Sequence, residues 1–180
     1  NEPSALALIQ KALSLLDFVS MRERMLILAL SKRYTGIPAD RVANDQAYAA
    51  VMRLAYTQFP EDQDIAMLYV ESMMNLRPWN YWMPDGQPYA GTTEIVSITE
   101  NVLKSNSKHP GALHLYIHLI EPTNTPERAE MAADTLLTLM PDAGHMVHMP
   151  SHIYQRVGRY ADSMRSNQLA IAADENYMVQ

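Results

Sequence analysis

Cysteine is absent from this 180-residue chain, which excludes disulfide staples, thiolate catalysis and any zinc site built on sulfur, and leaves the redox compartment unread. Glycine is scarce at 6 residues, and neither a glycine-rich phosphate loop nor a GxSxG nucleophile elbow occurs. Basic charge is in the minority. The 14 Lys and Arg stand against 20 Asp and Glu, and no basic run exceeds Lys32-Arg33, which argues against nucleic acid or an anionic membrane surface as partner. Long apolar runs are missing too: the stretches over 25–30 and 113–120 are broken by charge or histidine and fall short of the roughly 20 residues of a spanning helix. This composition predicts one soluble domain over 1–180 with a continuous core, and leaves a cytoplasmic or periplasmic address open. The chain starts at Asn1 with neither Met nor a leader pattern, as expected of a piece of a longer protein.

What the chain does have is helical periodicity. Residues 4–16, 21–34 and 41–58 place apolar side chains every three or four positions, and 61–76 opens on acids after the helix stop Pro60. Further helices are predicted over 93–105, 111–121, 126–139, 145–157 and 160–173, giving about eight to ten in all. No segment alternates like a strand. Residues 77–91 interrupt the pattern with three of the eleven prolines, both tryptophans and two tyrosines, an ordered aromatic loop. Short connections make successive helices antiparallel neighbours.

An internal repeat is also present. Gly158-x-Tyr160, Ala170 and Asp174 are spaced as in the second half of a tetratricopeptide repeat, whose period is about 34 residues. Counting back from Gly158 sets Gly144 and Pro110 at repeat position 1, and Ala129 and Pro141 then fall on the small-residue and closing-proline positions. Two units, 110–143 and 144–177, share this register. A third runs from about Gln63 and is lengthened by the aromatic loop, the first 60 residues match more loosely, and a fresh unit would begin at Met178. The chain therefore resembles tetratricopeptide-like proteins. The phrases HPGALHLYIHLIE, PWNYW and GHMVHMPSHIYQRVGRY are also similar to those of a group of bacterial tetratricopeptide-containing proteins. The resemblance implies an all-α, right-handed superhelix of antiparallel hairpins, with the first helix of each unit lining a concave groove that binds a peptide, a protein or a small ligand. It implies no reaction.

All six histidines lie between 109 and 152. His114 and His118 are four residues apart, as are His148 and His152, and the pairs are 34 apart from one another. Each pair therefore shares a helix face, the spacing by which helices offer two imidazoles to a metal. By the resemblance, all four face the groove from adjacent units, and so does His145. Glu121 continues the first face by one turn, and Glu71 takes the equivalent place one unit earlier. Neighbouring helices are roughly 8–10 Å apart, so these residues could share a divalent transition metal, zinc by default. Glu121 is then the candidate base for a metal-bound water. Duplication alone is the competing explanation, with the imidazoles hydrogen-bonding a peptide or each other. Neither pair is an HExxH metalloprotease motif.

Pro150 leaves two geometries open. Either the helix starts afresh with Pro150 in its first turn, stranding His145 and His148 on the entry segment, or it kinks and keeps them inward. Gln155 and Arg156 stand where repeats of this kind hold a ligand carboxylate, for which Arg offers a bidentate fork. Trp79 and Trp82 either wall a pocket for an apolar ligand or pack down as a plug. Tyr116, Tyr154 and Tyr160 read as core with satisfied hydroxyls. His109 reads as part of a helix start, and the methionines as core fillers, with Met146 and Met149 retained as soft ligands.

Overall fold

Apolar positions recurring every three or four residues become helices nearly throughout the computed structural model, which describes residues 2–37 and 40–178. They fall into two units, Asn1–Pro78 and Trp79–Gln180. The first contains α1 (Glu2–Leu13), α2 (Met21–Arg33), α3 (Arg41–Gln58) and α4 (Gln63–Asn75), each packed on the next. Ser20 and Glu23 form a reciprocal capping box at the start of α2. Asp62 caps α4 by accepting from the Ile65 N–H at 2.9 Å. Ile65, Tyr69 and Val70 are fully buried, and Ala29 and Ala55 mark the places where helices approach closely. The first helix ends sooner than its periodicity predicts. The Ser14 hydroxyl bonds the Lys11 carbonyl at 2.7 Å, a local bond that competes with helix continuation, and a 3-10 turn at Leu16–Phe18 follows.

The second unit contains α5 (Thr92–Ser105), α6 (Pro110–Ile120), α7 (Glu130–Leu139), α8 (Gly144–His148), α9 (Pro150–Arg156) and α10 (Tyr160–Met178). Pro110 occupies the first turn of α6, and the buried His109 caps it, its Nδ1 accepting from the Ala112 N–H at 3.3 Å. A 3-10 turn at Pro126–Ala129 leads into α7. α6 with α7, and α8 and α9 with α10, form two consecutive hairpins, and α7 packs on α9 to join them. Ala129, Ala133, Ala170 and Ala173 are buried at these crossings. Gly158 ends α9 with φ of +83°, and the Arg159 N–H reaches back to the Tyr154 carbonyl at 2.8 Å. This is the glycine-dependent helix stop known as a Schellman turn. At Gly144 a Cβ would lie 2.0 Å from the Asp174 carboxylate, so the glycine leaves the room into which that side chain of α10 reaches. α10 runs on to Met178, beyond the 173 predicted from its apolar spacing.

Among the described residues the only extended pairing is a single bridge between Trp82 and Pro88. No described helix is long and apolar enough to cross a membrane.

Candidate metal centre

α6 and the α8–α9 segment present their histidines to one another. His114 lies at the middle of a trio. Its Nε2 is 3.1 Å from His118 Nε2 and 3.1 Å from His145 Nε2, and the three ligand nitrogens lie within 4.8 Å of one another. His118 is buried, His114 half-buried and His145 exposed. A second pair faces itself across the α8–α9 junction, with His148 Nε2 and His152 Nε2 3.0 Å apart.

The break at Pro150 is real and yet leaves the histidines together. Met149 keeps helical angles and its N–H bonds the His145 carbonyl at 3.1 Å, while the His152 N–H bonds the Met149 carbonyl at 3.2 Å. The missing proline N–H thus costs one bond without turning the chain away. Each of the two geometries the sequence allowed describes half of the result: the helix restarts at Pro150, and His145 and His148 still face inward.

Glu121 stands behind the rings rather than among the ligand nitrogens. Its Oε2 meets His152 Nδ1 at 2.5 Å, and its Oε1 lies 3.8 Å from His118 Nδ1. That second contact is beyond hydrogen-bond length, and His118 Nδ1 is buried with no other partner. A carboxylate on this side holds the His152 proton on Nδ1 and favours the same tautomer in His118, with the Nε2 of each ring turned toward the other histidines. Burial opposes ionisation of Glu121, but the two imidazoles on its oxygens hold its carboxyl down at about 2. His152 is raised by its bond to Glu121 against the effect of burial. Burial, then the field of the neighbouring histidines, lowers His114 to about 4 and also lowers His145. Those two rings are therefore neutral near pH 7, the state a metal requires.

The trio cannot satisfy itself with neutral rings. An imidazole nitrogen has one in-plane direction, filled by either a proton or a lone pair, so His114 Nε2 cannot form two good bonds at once. A cation would remove the conflict: tetrahedral ligands about 2.05 Å from zinc stand about 3.3 Å from each other, close to the 3.1 Å of two of the three pairs here. The third pair, within the 4.8 Å span of the trio, would have to draw together around a shared ion.

The other candidates separate. Trp79, 66% exposed and held at φ of 63°, stands edge-on to His118 with ring centres 4.8 Å apart. Trp82 is tied down, its indole N–H donating to the Leu119 carbonyl at 2.8 Å. Gln155 and Arg156 join Glu121, His152 and Tyr160 around an open cleft of about 480 Å³, and Arg156 donates to the Thr123 carbonyl at 2.7 Å. Glu71 lies in the first unit, bonded by Arg33 at 3.3 Å and by the Asn75 amide. Tyr116 and Tyr154 are buried, their hydroxyls donating to Glu100 and Asp134. Tyr160 is 69% exposed, contrary to the core position its spacing predicts, because it opens α10 directly after the Gly158 turn. Met149 is wholly buried. One residue that the sequence did not single out is Asn167, whose Oδ1 meets His148 Nδ1 at 2.6 Å. It lies on the second helix of its repeat, where no metal-ligand spacing points to it.

Hairpins in a 34-residue register, small residues at their crossings and a glycine stop define an all-α, tetratricopeptide-like fold. Two solved structures share it. One titled "MamA MSR-1 C2" aligns with a TM-score of 0.56 at 12% identity, covering 93% of this chain and 95% of that one. Another, titled "MamA AMB-1 C2221", aligns at 0.55 with 10% identity, covering 94% and 98%. MamA is a tetratricopeptide-containing protein, and the likeness is one of fold. No family model and no curated protein matches the sequence.

Proposed function

We propose that this chain is a metal-binding helical-repeat protein in which His114, His118 and His145 hold a divalent transition metal ion. One observation carries the reading: His114 Nε2 faces two other imidazole nitrogens at 3.1 Å, an arrangement that neutral rings cannot satisfy among themselves. Three neutral nitrogen donors suit zinc, copper or nickel, and zinc is the default for a site without sulfur. Glu121 serves as a positioning residue, holding His152 through its 2.5 Å bond and facing His118 Nδ1 from 3.8 Å. The test is metal analysis of protein purified without a polyhistidine tag. Near-stoichiometric metal, or tight zinc binding by the chelator-stripped chain, is expected. His114→Ala should weaken it by more than the roughly 10- to 100-fold that loss of a supporting partner costs. Failure of zinc, copper and nickel alike to bind overturns the reading.

A second reading is supported by the cleft of Glu121, His152, Gln155, Arg156 and Tyr160. In it the chain acts as an interaction module, the Arg156 guanidinium and the Gln155 amide receiving an acidic peptide or small carboxylate. Binding of a C-terminal acidic peptide library that is lost in Arg156→Ala but kept in His114→Ala would support it, and equal binding by both variants would count against it.

A further inference from the structure

We infer that the histidine face holds two metal ions, the second on His148 and His152. This rests on the metal-binding reading and extends it to a pair of imidazoles that the first ion does not use.

The argument starts from Asn167. Its amide Nδ2 donates to the Ser163 carbonyl at 3.0 Å, which fixes the orientation of the amide and turns Oδ1 toward His148 Nδ1, 2.6 Å away. Since Oδ1 only accepts, His148 carries its proton on Nδ1. His152 is fixed in the same sense by a different residue, its Nδ1 donating to Glu121 Oε2 at 2.5 Å. With both Nδ1 protons committed, the two Nε2 atoms 3.0 Å apart present lone pairs to each other whenever both rings are neutral. Two lone pairs at that distance repel, and a cation between them turns the repulsion into two bonds. An asparagine behind one imidazole and a carboxylate behind the other are the supporting partners that metal-bound histidines have.

The pair and the trio are separate sets of facing nitrogens within one continuous row of rings. Facing ring centres are 4.8 and 5.0 Å apart within the trio, whose outer members His118 and His145 stand 6.4 Å apart, and 4.9 Å apart within the pair. Between the sets, His118 to His152 is 6.0 Å and His145 to His148 is 6.4 Å. Glu121 bonds His152 of the pair at 2.5 Å and lies 3.8 Å from His118 of the trio, so the two positions have one carboxylate behind them, as in a two-metal centre. A cleft of about 360 Å³, lined by His145, His148, Asn167 and Asp174 among others, gives an ion its route in. The cation has the chemistry that imidazole prefers, a divalent zinc, copper or nickel.

A proton on His152 Nε2 would answer the same need, so the experiment must count ions. The untagged full chain, stripped by chelator, is titrated with zinc by calorimetry and the metal retained after gel filtration is counted. Wild type should hold two ions. His148→Ala/His152→Ala should hold one, its affinity within about twofold of the tighter wild-type site, as expected of separable sites. Asn167→Leu keeps both ligands but removes the orienting acceptor, and should weaken only the second ion by about 10- to 100-fold. Far-UV circular dichroism verifies the helices, and Asn167→Leu carries the test if the double variant does not fold. One ion in wild type overturns the inference, whether the double variant keeps it or loses it, and leaves the metal-binding reading standing. No ion in wild type overturns both.

Discussion

The two units solve the same problem with opposite chemistry. In Asn1–Pro78, Glu71 holds the repeat position that His118 and His152 hold in the next two repeats. It meets a cation supplied by the protein itself. Arg33 lies 3.3 Å from Glu71 and 3.4 Å from Asp45, with its guanidinium 5.1 Å above the Tyr48 ring. Burial opposes the charge of Arg33, but these carboxylates raise its pKa. In Trp79–Gln180 the corresponding cluster has five imidazoles and one carboxylate, and its ring nitrogens face each other. One polar cluster joins a cation of the protein to its carboxylates, and the other is the proposed ligand set. The difference teaches that a helical-repeat scaffold can bury polar side chains around its own charge or gather them as uncharged donors.

The comparison would break most visibly in metal-dependent stability. Zinc at a hundredfold excess over its dissociation constant should stabilise the protein by about 2.7 kcal/mol. The part of that gain owed to the trio should vanish in His114→Ala, and all of it should persist in Arg33→Ala, as read by denaturant melts with and without chelator. In the absence of metal the order reverses. Arg33→Ala removes the cation shared by Asp45 and Glu71, which keep only Arg41 and Asn75 beside them, and should cost about 2 kcal/mol, less than a fully buried pair because the site is partly wet. His114→Ala should cost no more than about 0.5 kcal/mol, since it removes a conflict along with a contact. Equal costs would dissolve the distinction between the two clusters. A smaller effect is expected at Glu121→Gln, which retains shape but loses the charge that holds the His152 Nδ1 proton and faces His118. Zinc affinity should fall about 10-fold, measured by competition with a chelating dye.

The smallest effect concerns acid, and sharpens the picture of the first unit. Asp62 is held below its ordinary 3.8 by its bond to Arg22. Folded, it binds a proton less readily than unfolded, so its contribution is complete above that value and drains away as pH falls through the lower folded one. Asp62→Asn should flatten the acid limb of the stability curve while changing stability near neutral pH by only about 0.5 kcal/mol.

Much of the architecture was legible because helical repeats advertise themselves. Gly158, Tyr160 and Ala170 set a register that carried back to Pro110, and the helices fall on it. The ends were less legible: Ser14 stops α1 through a side-chain bond, and α10 outruns its apolar spacing. At the site, the spacing of four within each histidine pair and 34 between pairs identified the face. It did not reveal how the rings would sort. A common site of His114, His118, His148 and His152 was the expectation, whereas His145 completes the trio with His114 and His118, and His148 pairs with His152. That sorting depends on side-chain rotation and on Asn167, a residue from another helix that no periodicity marks.

Trp79 has a consequence for observing the molecule. An indole ring 4.8 Å from His118 is near enough for a bound paramagnetic ion to extinguish its fluorescence, while diamagnetic zinc would leave that emission largely intact. Occupancy is thus converted into light by a fluorophore already encoded in the chain, and Trp79→Phe would separate its signal from that of Trp82.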